Sequence, residues 1–235
     1  MDENGVKSKG HDMKLIEYPD KEMMMLRLAD VLAGELEDVL LTQDQASLAV
    51  PGGTTPGPVF DSLCDAALDW SRVSIMLTDE RWVPESSDRS NTRLLRERLM
   101  TGKAAAAELV PLFAEAEHPE DKLTELNVGV EAVTPISVML LGMGADMHTA
   151  SIFPGADNLE AALHGDANLV AMRAPGAPEP RITLSANVIN AAINRHIVIV
   201  GPEKKAALEA AQSLSPAEAP VSAILSGTTV HWAEK

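Results

Sequence analysis

Only one cysteine, Cys64, occurs in the 235 residues, so no disulfide can form within the chain. A lone thiol suits a reducing compartment, and a cytoplasmic location is the expectation. Cys64 falls in the apolar pattern Val59, Phe60, Leu63, Ala67, which predicts a buried and inert side chain. Basic residues are also scarce: 19 Lys and Arg stand against 35 Asp and Glu, a formal charge of −16. A nucleic-acid surface needs clustered Lys and Arg, so nucleic acid is not an expected partner. A small anionic ligand remains compatible, because charges beyond a Debye length of about 8 Å are screened and a few cations in a pocket outweigh them. The acidic residues lie along helical faces such as Glu35, Glu37 and Asp38, and most of them read as a solvated surface. No apolar run approaches the roughly 20 residues that span a bilayer, so no membrane partner is expected. Residues 1–12 are polar, lack the apolar stretch of a secretory signal and read as a disordered leader. The remaining 13–235, free of internal repeats, have the 46% apolar content that one large domain needs for a core. Whether it works as a monomer or a small homo-oligomer is left open by the sequence.

What is present is an alternation of helix and strand signals. Apolar positions Met24, Leu28, Val31 and Leu32 predict one face of a helix over Asp20 to Leu41. Strands are predicted at Ser47 to Val50, Val73 to Thr78, Ile136 to Leu141, Leu169 to Met172, Arg181 to Leu184, His196 to Val200 and Val230 to Trp232. Helices are predicted near Val59 to Leu68, Asn91 to Met100, Pro119 to Val133 and from Gly201 to Leu214, with a helical turn ending at Ala192. Asp79 to Pro84 and the Pro-rich Ala174 to Pro180 read as loops. Helices between parallel-type strands imply right-handed crossovers, hence an α/β fold: a doubly wound, mostly parallel sheet with helices on both faces.

The most informative stretch is Val138-Met-Leu-Leu-Gly-Met-Gly-Ala-Asp-Met-His148. The run from Ile136 to Leu141 is apolar and continuous, which reads as a strand buried on both faces. Gly142 and Gly144 permit a sharp turn there and carry Asp146 and His148 to the carboxyl edge of the sheet, where α/β proteins place their chemistry. The turn is not a dinucleotide site, since Gly142-Met-Gly144 is followed by Ala145, Asp146 and Met147 without the third small residue of the fingerprint. Gly52-Gly53-Thr54-Thr55 likewise lacks the lysine of a phosphate-binding NTPase loop. Its bare amides and two hydroxyls ahead of a helix offer a seat for one phosphate group, or simply a turn.

In combination and in order, Pro51-Gly-Gly-Thr-Thr-Pro56, Thr78-Asp-Glu-Arg-Trp-Val-Pro84 with Asn91, Leu141 to Gly155, Arg181-Ile-Thr-Leu184 and Ile197-Val-Ile-Val-Gly-Pro-Glu-Lys204 resemble the 6-phosphogluconolactonase family. The resemblance spans about Leu48 to Ala211. It implies a modified Rossmann-like fold, shared with glucosamine-6-phosphate deaminases. It also implies hydrolysis of a sugar-phosphate lactone, 6-phosphogluconolactone, in the pentose phosphate pathway, with no required cofactor.

Under that resemblance each residue type has work to do. A lactone needs a base for water, donors for the developing oxyanion and a handle for its phosphate. His148 is the implied base, and Asp146 either orients its imidazole or holds a sugar hydroxyl. Gly52, Gly53, Thr54 and Thr55 would meet the phosphate, with positive charge from Arg81, Arg181 and Lys204. Asp79 and Glu80 are either partners of Arg81 or contacts to sugar hydroxyls, and Trp82 is expected to pack beneath its loop. A metal held by Asp146 and His148 lacks further ligands in the sequence, so no metal is expected. The chain departs from the family's Asp-Gly-His by placing Met147 between Asp146 and His148, which puts a side chain where the turn favours glycine. Deaminases carry a second acid in an Asn-Glu-Pro sequence where this chain reads Ile152-Phe153-Pro154, so a sugar-phosphate deaminase is the weaker alternative. A non-catalytic sugar-phosphate sensor is the other.

Overall fold

The structure, a computed structural model, describes residues 12–235. The expected leader lies outside the described residues except for Asp12. The chain opens with β1 (Lys14–Tyr18) and the long helix α1 (Lys21–Thr42). Asp20 caps α1 by accepting from the Met23 amide at 2.8 Å. The apolar face of α1 is Met24, Met25, Leu28, Ala29, Leu32 and Leu36, while Val31 stays half-buried at its margin. There follow β2 (Ala46–Val50), α2 (Gly57–Leu63), β3 (Val73–Leu77), β4 (Asp79–Arg81), α3 (Asn91–Arg98), β5 (Glu108–Val110) and α4 (Leu123–Val133). The second half contributes β6 (Val138–Gly142), α5 (Leu159–His164), β7 (Leu169–Met172), β8 (Arg181–Leu184), α6 (Ala186–Ala191), β9 (Asn194–Val200), α7 (Pro202–Ala211) and β10 (Thr229–Ala233).

Seven strands form one sheet in the order β1-β10-β9-β6-β2-β3-β5, and every neighbouring pair is parallel. From β2 the chain steps outward to β3 and β5, then returns across the sheet to β6, β9 and β10. Right-handed crossovers taken in opposite directions put their helices on opposite faces, so the sheet is doubly wound as expected. Strands β2, β3 and the Val138–Leu141 part of β6 are buried along their length, which explains why they read as unbroken apolar runs. A second, antiparallel sheet of three strands, β4-β8-β7, lies beside it, joined by Leu184 N donating to Thr78 O at 2.9 Å.

Several elements depart from the sequence expectation. Asp79–Arg81 is a strand rather than a loop, because β8 offers it a partner from a hundred residues away. The helix predicted to reach Leu68 stops at Leu63, since the Cys64 carbonyl is taken by the Ala104 amide at 2.9 Å instead of continuing the helical ladder. β1, β5 and α5 carried too little periodicity to be read at all. Pro119 to Lys122 is 3-10 helix, and α4 starts only at Leu123. Cys64 is buried, as expected.

Away from the carboxyl edge, a hydrogen-bonded chain crosses β9, β10 and β1. Glu35 Oε2 lies 2.8 Å from His196 Nε2, His196 Nδ1 lies 3.0 Å from His231 Nε2, and His231 Nδ1 lies 2.8 Å from the Tyr18 hydroxyl. Glu35 is therefore more than part of a solvated face. Burial, with His196 and Lys14 adding to it, holds the His231 imidazole down to about 3, against an ordinary value of 6.5. The unfolded chain takes up this proton near pH 6.5 and the folded chain does not, so stability is lost as pH falls from 6.5 toward 3. The slope in that window approaches ~1.4 kcal/mol per pH unit from this one group. Urea unfolding at a series of pH values should show the slope shrink by about one proton in His231→Asn; an identical slope would show that His231 is not the group responsible.

Candidate active site

The reversal of strand order falls between β2 and β6, which pair through Leu48 with Val138 and Ala49 with Met139. Their outgoing loops diverge, and a crevice opens at the carboxyl ends where α/β sheets bind ligands. A cavity of about 310 Å³ occupies it. Every site residue expected from the sequence lines it except Asp146: Gly52, Gly53, Thr54 and Thr55 from the loop after β2, Asp79 and Arg81 from β4, His148, Arg181 from β8 and Lys204 from α7. Asp146 stands behind the imidazole.

The histidine turn is tight. Gly144 N donates to His148 O and Met147 N donates to Gly144 O, each at 3.0 Å. Asp146 Oδ1 lies 2.5 Å from His148 Nδ1 and also accepts from the His148 amide at 3.2 Å. The carboxylate thus accepts from Nδ1, and the neutral ring in this tautomer carries its lone pair on Nε2. Neither Gly142 nor Gly144 adopts a positive φ. Gly144 is needed for close approach: a Cβ there would sit 2.3 Å from His148 Nδ1 and 2.4 Å from Asp146 Oδ1. Met147 is the residue in the left-handed region, at φ 66°. A side chain there is strained by roughly 1 kcal/mol, offset in part because Met147 packs against the core and its carbonyl accepts from Val221 N at 3.0 Å.

On the opposite wall, Gly52 abuts Asn91 so closely that a Cβ would lie 2.1 Å from Asn91 Oδ1. Asn91 Nδ2 in turn donates to the Asp79 carbonyl at 3.2 Å. The carboxylate of Asp79 is buried, accepts from Ser151 Oγ at 2.6 Å and from Thr78 Oγ1 at 3.1 Å, and lies 4.0 Å from Arg181 NH1. Glu80 belongs to neither alternative raised for it. It is fully buried and accepts from the backbone amides of Arg81, Asn91 and Thr92 and from the hydroxyls of Ser90 and Thr92, so it anchors the start of α3. Burial pushes its carboxyl above the usual range despite those donors. Trp82 packs under its loop as expected, its indole donating to Ala116 O at 3.0 Å.

Three cations, Arg81, Arg181 and Lys204, line the cavity. Arg81 and Arg181 face each other across the β4–β8 pair, and the Nε of each is buried without a partner among the described residues. Burial pushes the Arg181 guanidinium below its ordinary value; Asp79 opposes this and Arg81 adds to it. Two like charges set opposite one another with orphaned donors are costly until an anion joins them. Lys204 sits in the first turn of α7, while its neighbour Lys205 is turned away to Glu17 at 2.6 Å and the Trp232 ring. Sequence reasoning missed Ser151, Thr183, Arg89 and Glu179, the last two joined at 2.6 Å across the loops flanking the arginines. Ser151 and Thr183 lie within the motif segments but were given no role there, and Arg89 and Glu179 lie in polar loops that carry no motif. Among the described residues no cluster of three His, Cys, Asp or Glu is placed to hold a metal ion, and no helix is long and apolar enough to cross a membrane.

Comparison with known proteins gives this arrangement its context. The sequence profile of the family described as glucosamine-6-phosphate isomerases/6-phosphogluconolactonase matches residues 19–232. The chain belongs to this family. Among similar relatives, the 6-phosphogluconolactonase of Pseudomonas aeruginosa is 40% identical over 211 residues, covering 87% of this chain and 88% of the relative. That of Rhizobium meliloti is 40% identical over 214 residues, covering 88% and 92%. The crystal structure of a 6-phosphogluconolactonase from Shewanella baltica superposes with a TM-score of 0.88 at 31% identity, over 95% of this chain and all of that one. A monomeric glucosamine-6-phosphate deaminase superposes with a TM-score of 0.76 at 17% identity and so shares the fold alone. Within this family fold, Gly144 is the residue that lets the Asp146–His148 pair close. Gly144→Ala should keep the fold, as judged by an unchanged urea midpoint, yet push the pair apart and lower turnover by about tenfold or more; full turnover would show the contact to be dispensable.

Proposed function

We propose that the chain, acting through one domain over 13–235, hydrolyses 6-phospho-D-glucono-1,5-lactone to 6-phospho-D-gluconate. The observation that carries this reading is that His148, the Gly52–Thr55 loop and three basic side chains line one cavity of about 310 Å³, a volume suited to a single sugar phosphate. The phosphate is held by the loop amides and hydroxyls together with Arg81, Arg181 and Lys204, which supply the charge that the rest of the acidic chain does not. His148 Nε2 takes a proton from water as the oxygen bonds to the lactone carbonyl carbon. The tetrahedral intermediate then expels the ring oxygen, which receives that proton from the imidazolium. Asp146 holds the ring in the required tautomer and stabilises the transient positive charge. The ester bond breaks, a carboxylic acid and a hydroxyl form, the acid releases the remaining proton of the water to solvent and becomes a carboxylate, and the enzyme returns to its starting state without a cofactor.

A deaminase needs a further acid to move protons on an open-chain sugar. Where the resemblance puts that acid this chain has Ile152, fully buried, and the hydrocarbon ring of Phe153. Lactone hydrolysis, needing one base, is the reading favoured.

With freshly generated lactone and correction for spontaneous opening, His148→Ala should lower kcat by roughly a hundredfold to ten-thousandfold with little change in KM. Lys204→Ala should raise KM by roughly tenfold to a hundredfold, the worth of one charge-assisted hydrogen bond. Undiminished kcat in His148→Ala would overturn the assignment of the base, and release of ammonia from glucosamine-6-phosphate would favour the deaminase.

A further inference from the structure

His148 has a neighbour on its face as well as on its edge. The Phe153 ring stacks on the imidazole with centroids 4.2 Å apart and planes inclined by 28°. The same phenyl ring carries the Arg181 guanidinium, whose central carbon lies 5.3 Å from the ring centroid. Phe153 thus touches both the proposed base and one of the cations proposed for the phosphate.

Its own position is well determined. Ser151, two residues earlier, donates from Oγ to Asp79 Oδ2 at 2.6 Å, and its amide donates to Thr183 Oγ1 at 3.2 Å. Thr149 and Ile152 form an isolated antiparallel bridge, and Ile152 is fully buried. The backbone on the N-terminal side of Phe153 is therefore pinned to both β4 and β8, the strands that carry Arg81 and Arg181.

A single hydrogen bond at Nδ1 sets the tautomer of an imidazole but leaves the ring free to rock about the axis of that bond. Rocking swings Nε2 on the far side of the ring, and a displacement of about 1 Å at a reacting atom can cost a hundredfold in rate. A flat aromatic face against the imidazole removes that freedom. The negative π-face also favours the guanidinium of Arg181. We propose that Phe153 is a positioning residue, fixing the plane of the His148 imidazole and the seat of Arg181 from one ring and so holding the base and the phosphate cation at a set separation. This rests on the reading of His148 as the base.

The test compares Phe153→Leu, which keeps apolar bulk and loses the flat face, with Phe153→Tyr, which keeps the face. Both are assayed on freshly generated 6-phosphogluconolactone beside His148→Ala, and the His148 ring protons are followed by NMR. Phe153→Leu should lower kcat by about tenfold to a hundredfold and raise KM a few-fold, and its His148 ring protons should move downfield as the ring-current shielding is lost. Phe153→Tyr should restore both. Unchanged kcat in Phe153→Leu, or lowered kcat with unmoved His148 protons, would overturn the proposal. If Phe153→Leu does not fold, Phe153→Met serves the same comparison, and His148 protons unshielded in the parent protein overturn the proposal without any variant. Activity retained in His148→Ala marks failure of the base assignment, whereas its loss beside an unaffected Phe153→Leu sinks the positioning role alone.

Discussion

The divergence of two adjacent parallel strands governs this molecule. Because β2 feeds outward to β3 and β6 feeds the other way to β9, their outgoing loops part and leave a cavity between them. Both loops must then reach back toward that space by close backbone approach. The two positions where a Cβ would collide with a polar neighbour in the cavity wall, Gly52 against Asn91 and Gly144 against the Asp146–His148 pair, are on these two loops. The chemistry is local, but the vacancy it occupies is a property of topology.

Electrostatics follows from the same geometry. The chain as a whole carries a formal charge of −16, yet the cavity gathers Arg81, Arg181 and Lys204. Distance and screening separate the acidic surface from the cavity, while partial burial strengthens the local cations. Arg81 and Arg181 come together only because the small antiparallel sheet sets β4 against β8 in a register that makes them opposite residues. That sheet is what sets two guanidinium groups side by side at the crevice, where Glu179 is paired with Arg89 at 2.6 Å.

The long, strongly patterned elements were legible in the sequence, and the reasons others were not are physical. α1 shows its apolar stripe over 22 residues, and β2, β3 and β6 show the unbroken apolar runs of strands buried on both faces. β4 and β5 have three residues each, too few for a period to show, and β4 exists only because β8 pairs with it. β1 alternates imperfectly at the sheet edge, where Lys14 and Glu17 are exposed and none of its residues is fully buried. In the site, the residues expected from the turn motifs do gather at one cavity, but Glu80 does not do what its neighbours suggested. A carboxylate beside an arginine in sequence looks like a salt bridge; in the fold it faces the amides at the start of α3, which supply donors that no local sequence displays.

One buried carboxylate ties the walls of the cavity together. Asp79 accepts from Ser151 of the histidine loop and from Thr78 at the end of β3, lies near Arg181 of β8, and through its backbone carbonyl holds Asn91, against which Gly52 of the loop after β2 rests. Four segments distant in sequence thus share one reference point. The wall of the cavity is thus held by hydrogen bonds between these segments. The strain accepted at Met147 fits that picture: a left-handed methionine is tolerable where both flanking hydrogen bonds and the packing of its side chain hold the turn closed. The hydrogen bonds and packing around the turn, rather than any single residue's intrinsic preference, keep the imidazole at the cavity wall.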